Sequence, residues 1–150
     1  MTEHSSPPIR REEIHLAVEA DLCVDEFVDI LRRSGLAERR PVDDHARMEH
    51  MLRNADLIVT ARHAGRLVGV ARSVTDFAFC CYLSDLAADP AYRGLGIGRA
   101  LMIRTRDEAH RAMPAGIRFR CLLLSAPKAM GYYPHQGLEQ LGNAFDFTDL

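Results

Sequence analysis

A chain of 150 residues can bury roughly 68 to 70% of its unfolded surface and hold one core without staples, so a single domain over 1–150 is expected. Hydrophobic residues at 47% and charged residues at 27% are globular values, no apolar run approaches the ~20 residues of a membrane helix, and MTEHSSPPIRREE lacks a signal-peptide core; the reading is a soluble cytoplasmic protein that meets no membrane. A net charge of -2 excludes the basic footprint of a nucleic-acid binder.

Residues 1–8, polar with two prolines, read as a loose end. IHLAVEA (14–20) alternates as a first strand, and CVDEFVDILRRSG repeats apolar residues at Val24, Phe27, Val28 and Leu31 before a glycine stop at Gly35. DDHARMEHMLRNA predicts a second helix whose acidic start suits the positive end of the helix dipole. Leu57 to Arg62 and Leu67 to Val74 form a β-branched hairpin around a loop carrying Gly65, and FAFCCYLSDLAA (77–88) continues as a long strand. After a glycine stretch comes a helix with Ile97, Leu101, Met102, Thr105 and Ala109 on its inner face, then the strand IRFRCLLLS (117–125). Strand, helix and strand in that order make a crossover, so Cys80 to Ala88 and Arg118 to Ser125 run parallel. A short helix over Pro127 to Tyr133 and a closing strand NAFDF complete the pass.

Cys23, Cys80, Cys81 and Cys121 have no CxxC spacing, and Cys80 and Cys81 point to opposite strand faces, so reduced and mostly buried thiols are expected. Seven histidines contain no HExxH, and His45 and His50 lie on different sides of a helix; no metal site is expected.

The chemistry concentrates in RGLGIGR (93–99), three glycines at alternate positions between a strand and a helix. Glycines there permit positive φ and close approach, and amide groups at a helix start converge on an anion. A P-loop would need GxxxxGK[ST], and no Lys or Ser/Thr follows Gly98; a dinucleotide fingerprint would need its third glycine one residue later. DLAADPAYRGLGIGRAL (85–101) instead resembles the acyl-CoA-binding motif of the GNAT superfamily of N-acyltransferases, Arg/Gln-x-x-Gly-x-Gly/Ala. AMGYYPHQGL downstream resembles the same family's A-x-x-(Phe/Tyr)-Tyr-x-x-x-Gly-(Phe/Leu) element, and with the hairpin GRLVGVARSV the likeness spans about Leu57 to Leu138.

The resemblance implies a mixed α/β (α+β) fold, with a mostly antiparallel sheet of six to seven strands, helices on both faces and one parallel crossover. It also implies that Arg93, Gly94, Leu95, Gly96, Ile97, Gly98 and Arg99 hold the pyrophosphate of acetyl-CoA as cosubstrate. The main chain of Leu86, Ala87 and Ala88 would pair with the pantetheine arm, and a strand bulge there would polarise the carbonyl. Tyr133 falls where the family places its general acid; a phenol of pKa ≈ 10 can protonate a thiolate whose thiol has pKa ≈ 8.5. Asp85 is compatible with a base, an amine ligand or a hydrogen-bonded structural residue. Ala126 replaces a family Asn, leaving Ser125 to supply that contact, and Tyr82 and Ser84 are candidates for the acceptor pocket. The implied function is N-acetyl transfer to a primary amine of a small molecule or peptide, with a homodimer suggested by the family's habits. The competing reading is a non-catalytic acyl-CoA-binding sensor or interaction module of the same fold.

Overall fold

The computed structural model describes residues 7–150, so most of the expected loose end at 1–8 lies outside the described residues. One sheet runs in the order β1 (Ile14–Val18), β2 (Leu57–His63), β3 (Arg66–Thr75), β4 (Cys80–Ala88), β5 (Arg120–Leu123). The first three pairings are antiparallel and the last is parallel, as the crossover requires. The hairpin of β2 and β3 turns on Ala64 and Gly65, both at positive φ (47° and 82°), a geometry that suits the twist of the strands it joins.

Helices α1 (Val24–Ser34) and α2 (His45–Arg53) cover one face, packing Phe27, Ile30, Leu31 and Met48 against Ile58 and Val70. Gly35 at φ 84° stops α1, and the Asp44 carboxylate caps α2 by accepting from Arg47 N at 3.0 Å. Helix α3 (Ile97–His110) covers the other face with Ile97, Leu101 and Ala109 against Val59, Ala71 and Leu83. Burying Ile97 and Leu101 contributes roughly 1.5–3 kcal/mol each, which fixes the N-terminal end of α3 to the sheet. Among the described residues no helix is long and apolar enough to cross a membrane, and no three His, Cys, Asp or Glu side chains group as metal ligands.

Three expectations change. The sheet has five strands, not six or seven, because NAFDF folds on itself: Asp146 Oδ1 accepts from Thr148 N at 2.8 Å, and Phe145 and Phe147 stand 91% and 77% exposed. β4 begins at Cys80 rather than at Phe77, because Asp76 Oδ1 accepts from the amides of Ala78, Phe79 and Cys80 and curls the chain into a turn. Three of the four cysteines are exposed: Cys23 stands just ahead of α1, Cys80 starts β4 on its open face and Cys121 lies on the edge strand, which leaves only Cys81 buried.

A bulge decides which side each β4 residue faces. Arg72 pairs with Asp85 but Ser73 pairs with Leu83, so Ser84 is an extra residue. In a regular strand positions 83 and 85 share a face; here Leu83 packs under α3 while Asp85 turns to the α1 and α2 side. The bulge was expected at Leu86 to Ala88 and sits at Ser84.

Candidate active site

The parallel pair opens at its upper end. Pairing of β4 with β5 stops at Leu83 and Leu123, whereas β4 runs on to Ala88, held over Asp85–Ala88 by β3 alone. The β5-facing edge of Leu86, Ala87 and Ala88 is therefore unpaired, a template for an added strand-like ligand. On the α3 side of the fork lies a cavity of about 660 Å³, bordered by Leu83, Leu123, Ser125, Arg99, Met102 and Tyr133.

β4 leaves the sheet at Asp89, whose Oδ1 accepts from Ala91 N at 2.9 Å and caps a 3-10 turn, Pro90–Tyr92. Arg33 of α1 ties down the same point, donating from Nη1 to Asp89 Oδ2 at 2.5 Å and from Nη2 to the Leu67 carbonyl at 2.7 Å. Burial pushes the Asp89 carboxyl up, but the hydrogen bonds from Ala91 and Arg33 outweigh it and hold the group below the usual carboxylate range.

The three glycines then have separate jobs. Gly94 and Gly96 adopt φ of 82° and 69°, where another L-residue would pay about 1–2 kcal/mol. A Cβ on Gly98 would displace the tip of the half-exposed Tyr132 side chain, whose hydroxyl lies over this glycine. The first amide to bond back into the helix is Ala100, to Gly96 O at 3.0 Å. Among the described residues the N–H groups of Gly94, Leu95, Gly96, Ile97, Gly98 and Arg99 have no acceptor, and they sit at the positive end of the 14-residue α3. Arg93 and Arg99 are exposed beside them and join no ion pair among the described residues.

Sequence reasoning missed Arg11. Its Nη1 lies 3.8 Å from the point where a Gly96 Cβ would stand, and it too joins no ion pair among the described residues. Nothing local marks it, because a 3-10 turn (Arg11–Glu13) ahead of β1 carries it across to the glycine loop. Tyr132 brings its hydroxyl to Gly98 at the helix start.

Tyr133 opens the short helix α4 (Tyr132–His135) together with Tyr132; the two rings meet edge to face at 5.2 Å. Burial, and then the neighbouring Tyr132, push the Tyr133 phenol up, so it is a protonated donor at neutral pH. Ser125 already donates its hydroxyl to the Ala126 carbonyl at 2.8 Å, leaving only its oxygen lone pairs for another partner.

Asp85 is fully buried. Arg40 Nε donates to its Oδ1 and Arg72 Nε to its Oδ2. The same arginines hold the bulge, Arg40 through the Ser84 carbonyl at 2.8 Å and Arg72 through the Ser84 hydroxyl at 3.0 Å. Both carboxylate oxygens thus face guanidinium groups, and the cluster braces the point where β4 parts from β5. Arg40 arrives from the chain between α1 and α2, so no spacing in the sequence could reveal this arrangement.

A sheet with one splayed parallel pair, and a glycine-led helix start facing the gap, defines a crossover built to take an anionic ligand with a strand-like arm. A profile of the acetyltransferase (GNAT) family matches residues 24–137, and the chain belongs to that family. Over 43 residues, 27% of this chain, it is 46% identical to the histone acetyltransferase TAP1 of Glycine max; the match spans 19% of that relative's length. Among solved structures it is similar to a proposed acetyltransferase from Deinococcus radiodurans R1, at TM-score 0.66 and 20% identity over 99% of this chain and 94% of the other. It is also similar to the aminoglycoside N-acetyltransferase AAC(6')-Iy in complex with CoA, at TM-score 0.66 and 15% identity over 89% and 93% of the two chains. At these identities the structural likeness is one of fold.

Proposed function

We propose that this protein is an acetyl-CoA-dependent N-acetyltransferase that transfers the acetyl group to a primary amine by direct attack. The observation that carries the reading is the meeting of two unsatisfied backbone surfaces, the β4 edge at Leu86 to Ala88 and the acceptor-free amides of Gly94 to Arg99. A ligand with amide groups along an arm and a pyrophosphate at its end satisfies both. Arg11, Arg93 and Arg99 add charge at the pyrophosphate end. The CoA complex of the aminoglycoside N-acetyltransferase of like fold supports the same cosubstrate and a nitrogen acceptor.

The residues then divide the work. The main chain of Leu86 to Ala88 aligns the pantetheine arm, and amides freed beside the Ser84 bulge are directed at the thioester oxygen as negative charge develops on it. The amine attacks in its neutral form, its nitrogen releases a proton to solvent, and the C–S bond breaks. Tyr133 gives its phenolic proton to the departing sulfur and regains one from solvent. Asp85 acts as a positioning residue, holding the bulge through Arg40 and Arg72 rather than taking a proton.

The test is an acetyl-CoA thiol-release screen over small amines, aminoglycosides and peptides. Release with at least one amine class is expected, and Tyr133→Phe should slow it about tenfold or more while leaving CoA affinity within twofold. Tight CoA binding with no release on any amine would make this a non-catalytic acyl-CoA-binding module.

A further inference from the structure

A second reactive cluster lies on the α3 face of the sheet, below the fork. Cys81 and Cys121 are register partners across the parallel pair. Register partners share a face on strands about 4.8 Å apart, which falls inside the 4.4–6.8 Å Cα separation that disulfides span. Both residues border the cavity beside α3, and Cys121 is exposed while Cys81 is 2% exposed.

The buried Cys81 sulfur has Cys121 across from it on β5 and Thr75 across from it on β3, whose hydroxyl donates to the Cys80 carbonyl. Ser73 Oγ, further along β3, is fully buried and has no hydrogen-bond partner among the described residues. The neighbouring Cys121 thiol, against the opposing effect of burial, brings the Cys81 thiol down to about 7. The same contact, and then burial, push Cys121 up, so the pair holds one thiolate and one shared proton. Cys80, on the opposite face of β4, has no part in this contact.

We propose that Cys81 and Cys121 form a redox-active dithiol site that exchanges with low-molecular-weight disulfides such as oxidised glutathione. The exposed Cys121 sulfur gives its proton to the Cys81 thiolate as it attacks one sulfur of the small disulfide, forms a mixed disulfide and expels a thiolate. The Cys81 sulfur then attacks Cys121 Sγ, releases the second small thiol and closes a Cys81–Cys121 bond. The two protein sulfurs are oxidised and one small disulfide is reduced to two thiols, which take one proton from the cysteine pair and one from solvent. The bond ties β4 to β5 two residues below the last paired residues, Leu83 and Leu123. This site does not depend on the acyl-transfer reading.

The test treats the reduced full-length chain with oxidised glutathione, alkylates the remaining thiols and maps the peptides by mass. The expected product is lighter by two hydrogens, with a Cys81–Cys121 cross-link and with Cys23 and Cys80 free of any cross-link. Cys121→Ser, an exposed change that leaves the core intact, should abolish the cross-link and leave Cys81 unmodified in the folded protein. Cys81→Ser should trap a lasting glutathione adduct on Cys121. A lasting adduct on Cys121 of the wild-type chain with Cys81 still free would overturn the proposal, as would a cross-link through Cys80 or Cys23.

Discussion

Gly69 ties the sheet to the glycine loop, and replacing it by alanine tests that link. A Cβ on Gly69 would stand 2.7 Å from Ile97 Cγ2, 3.0 Å from Leu101 Cδ1 and 3.4 Å from Ala61 Cβ. Carbon atoms pack at about 3.5–4.0 Å, so Ile97 must retreat by roughly 1 Å. Its Cγ2 branches from a stiff χ1 and cannot swing aside cheaply. Overpacking of this kind costs about 1–3 kcal/mol, which for a chain of this length lowers Tm by about 2–12 °C. Ile97 is also the first residue of α3, and its amide belongs to the acceptor-free set, so the retreat moves the anion cradle. Calorimetry should record the loss of Tm, and titration with CoA a rise in Kd of roughly 3–10-fold. Ile97→Ala removes the clashing atom, so in that background Gly69→Ala should cost about 1 kcal/mol less. A Gly69→Ala protein with unchanged Tm and unchanged CoA affinity would refute the reasoning.

Asp85→Asn leaves two buried guanidinium groups without their counter-charge and should cost about 3–5 kcal/mol in urea unfolding; the pH–rate profile keeps its midpoint, and a displaced midpoint at unchanged stability would return Asp85 to the role of base. Arg11→Gln should raise the KM for acetyl-CoA roughly tenfold with kcat within twofold, since a lost charged contact is worth about 1.5 kcal/mol; equal falls in kcat and kcat/KM would place Arg11 in the chemical step. Asp89 titrates below its unfolded value, so its stabilisation is full above an unfolded pKa of about 3.9 and disappears as pH falls through the folded value. Asp89→Asn, which keeps an N-cap, should therefore be less stable at pH 7 and converge on the wild type in unfolding titrations below about pH 4; parallel curves would contradict the assignment.

The parts of this protein that are legible in its sequence are those built from neighbours in the chain. The hairpin, the crossover and the glycine loop each depend on a short run of residues, and RGLGIGR carries its conformational demand in its own composition. Alternation misled at NAFDF, because a strand needs an edge as well as a pattern, and Asp146 closes a turn there instead. The surroundings of Asp85 were hidden for a different reason. A single extra residue at Ser84 reverses which face it joins, and its two partners come from β3 and from the segment after α1. Arg11 reaches the loop from more than eighty residues away in the chain. The register of Cys81 with Cys121 likewise appears only once β5 is laid beside β4.

The central claim is that one ligand bridges the open β4 edge and the glycine loop. Amide chemical shifts followed during titration with CoA test it most directly. The account predicts that the largest changes fall on Leu86 to Ala88 and on Gly94 to Arg99, and that NAD and ATP at the same concentration do not reproduce the changes on Leu86 to Ala88. Shifts confined to other segments, or an equal response along both stretches to all three ligands, would contradict it.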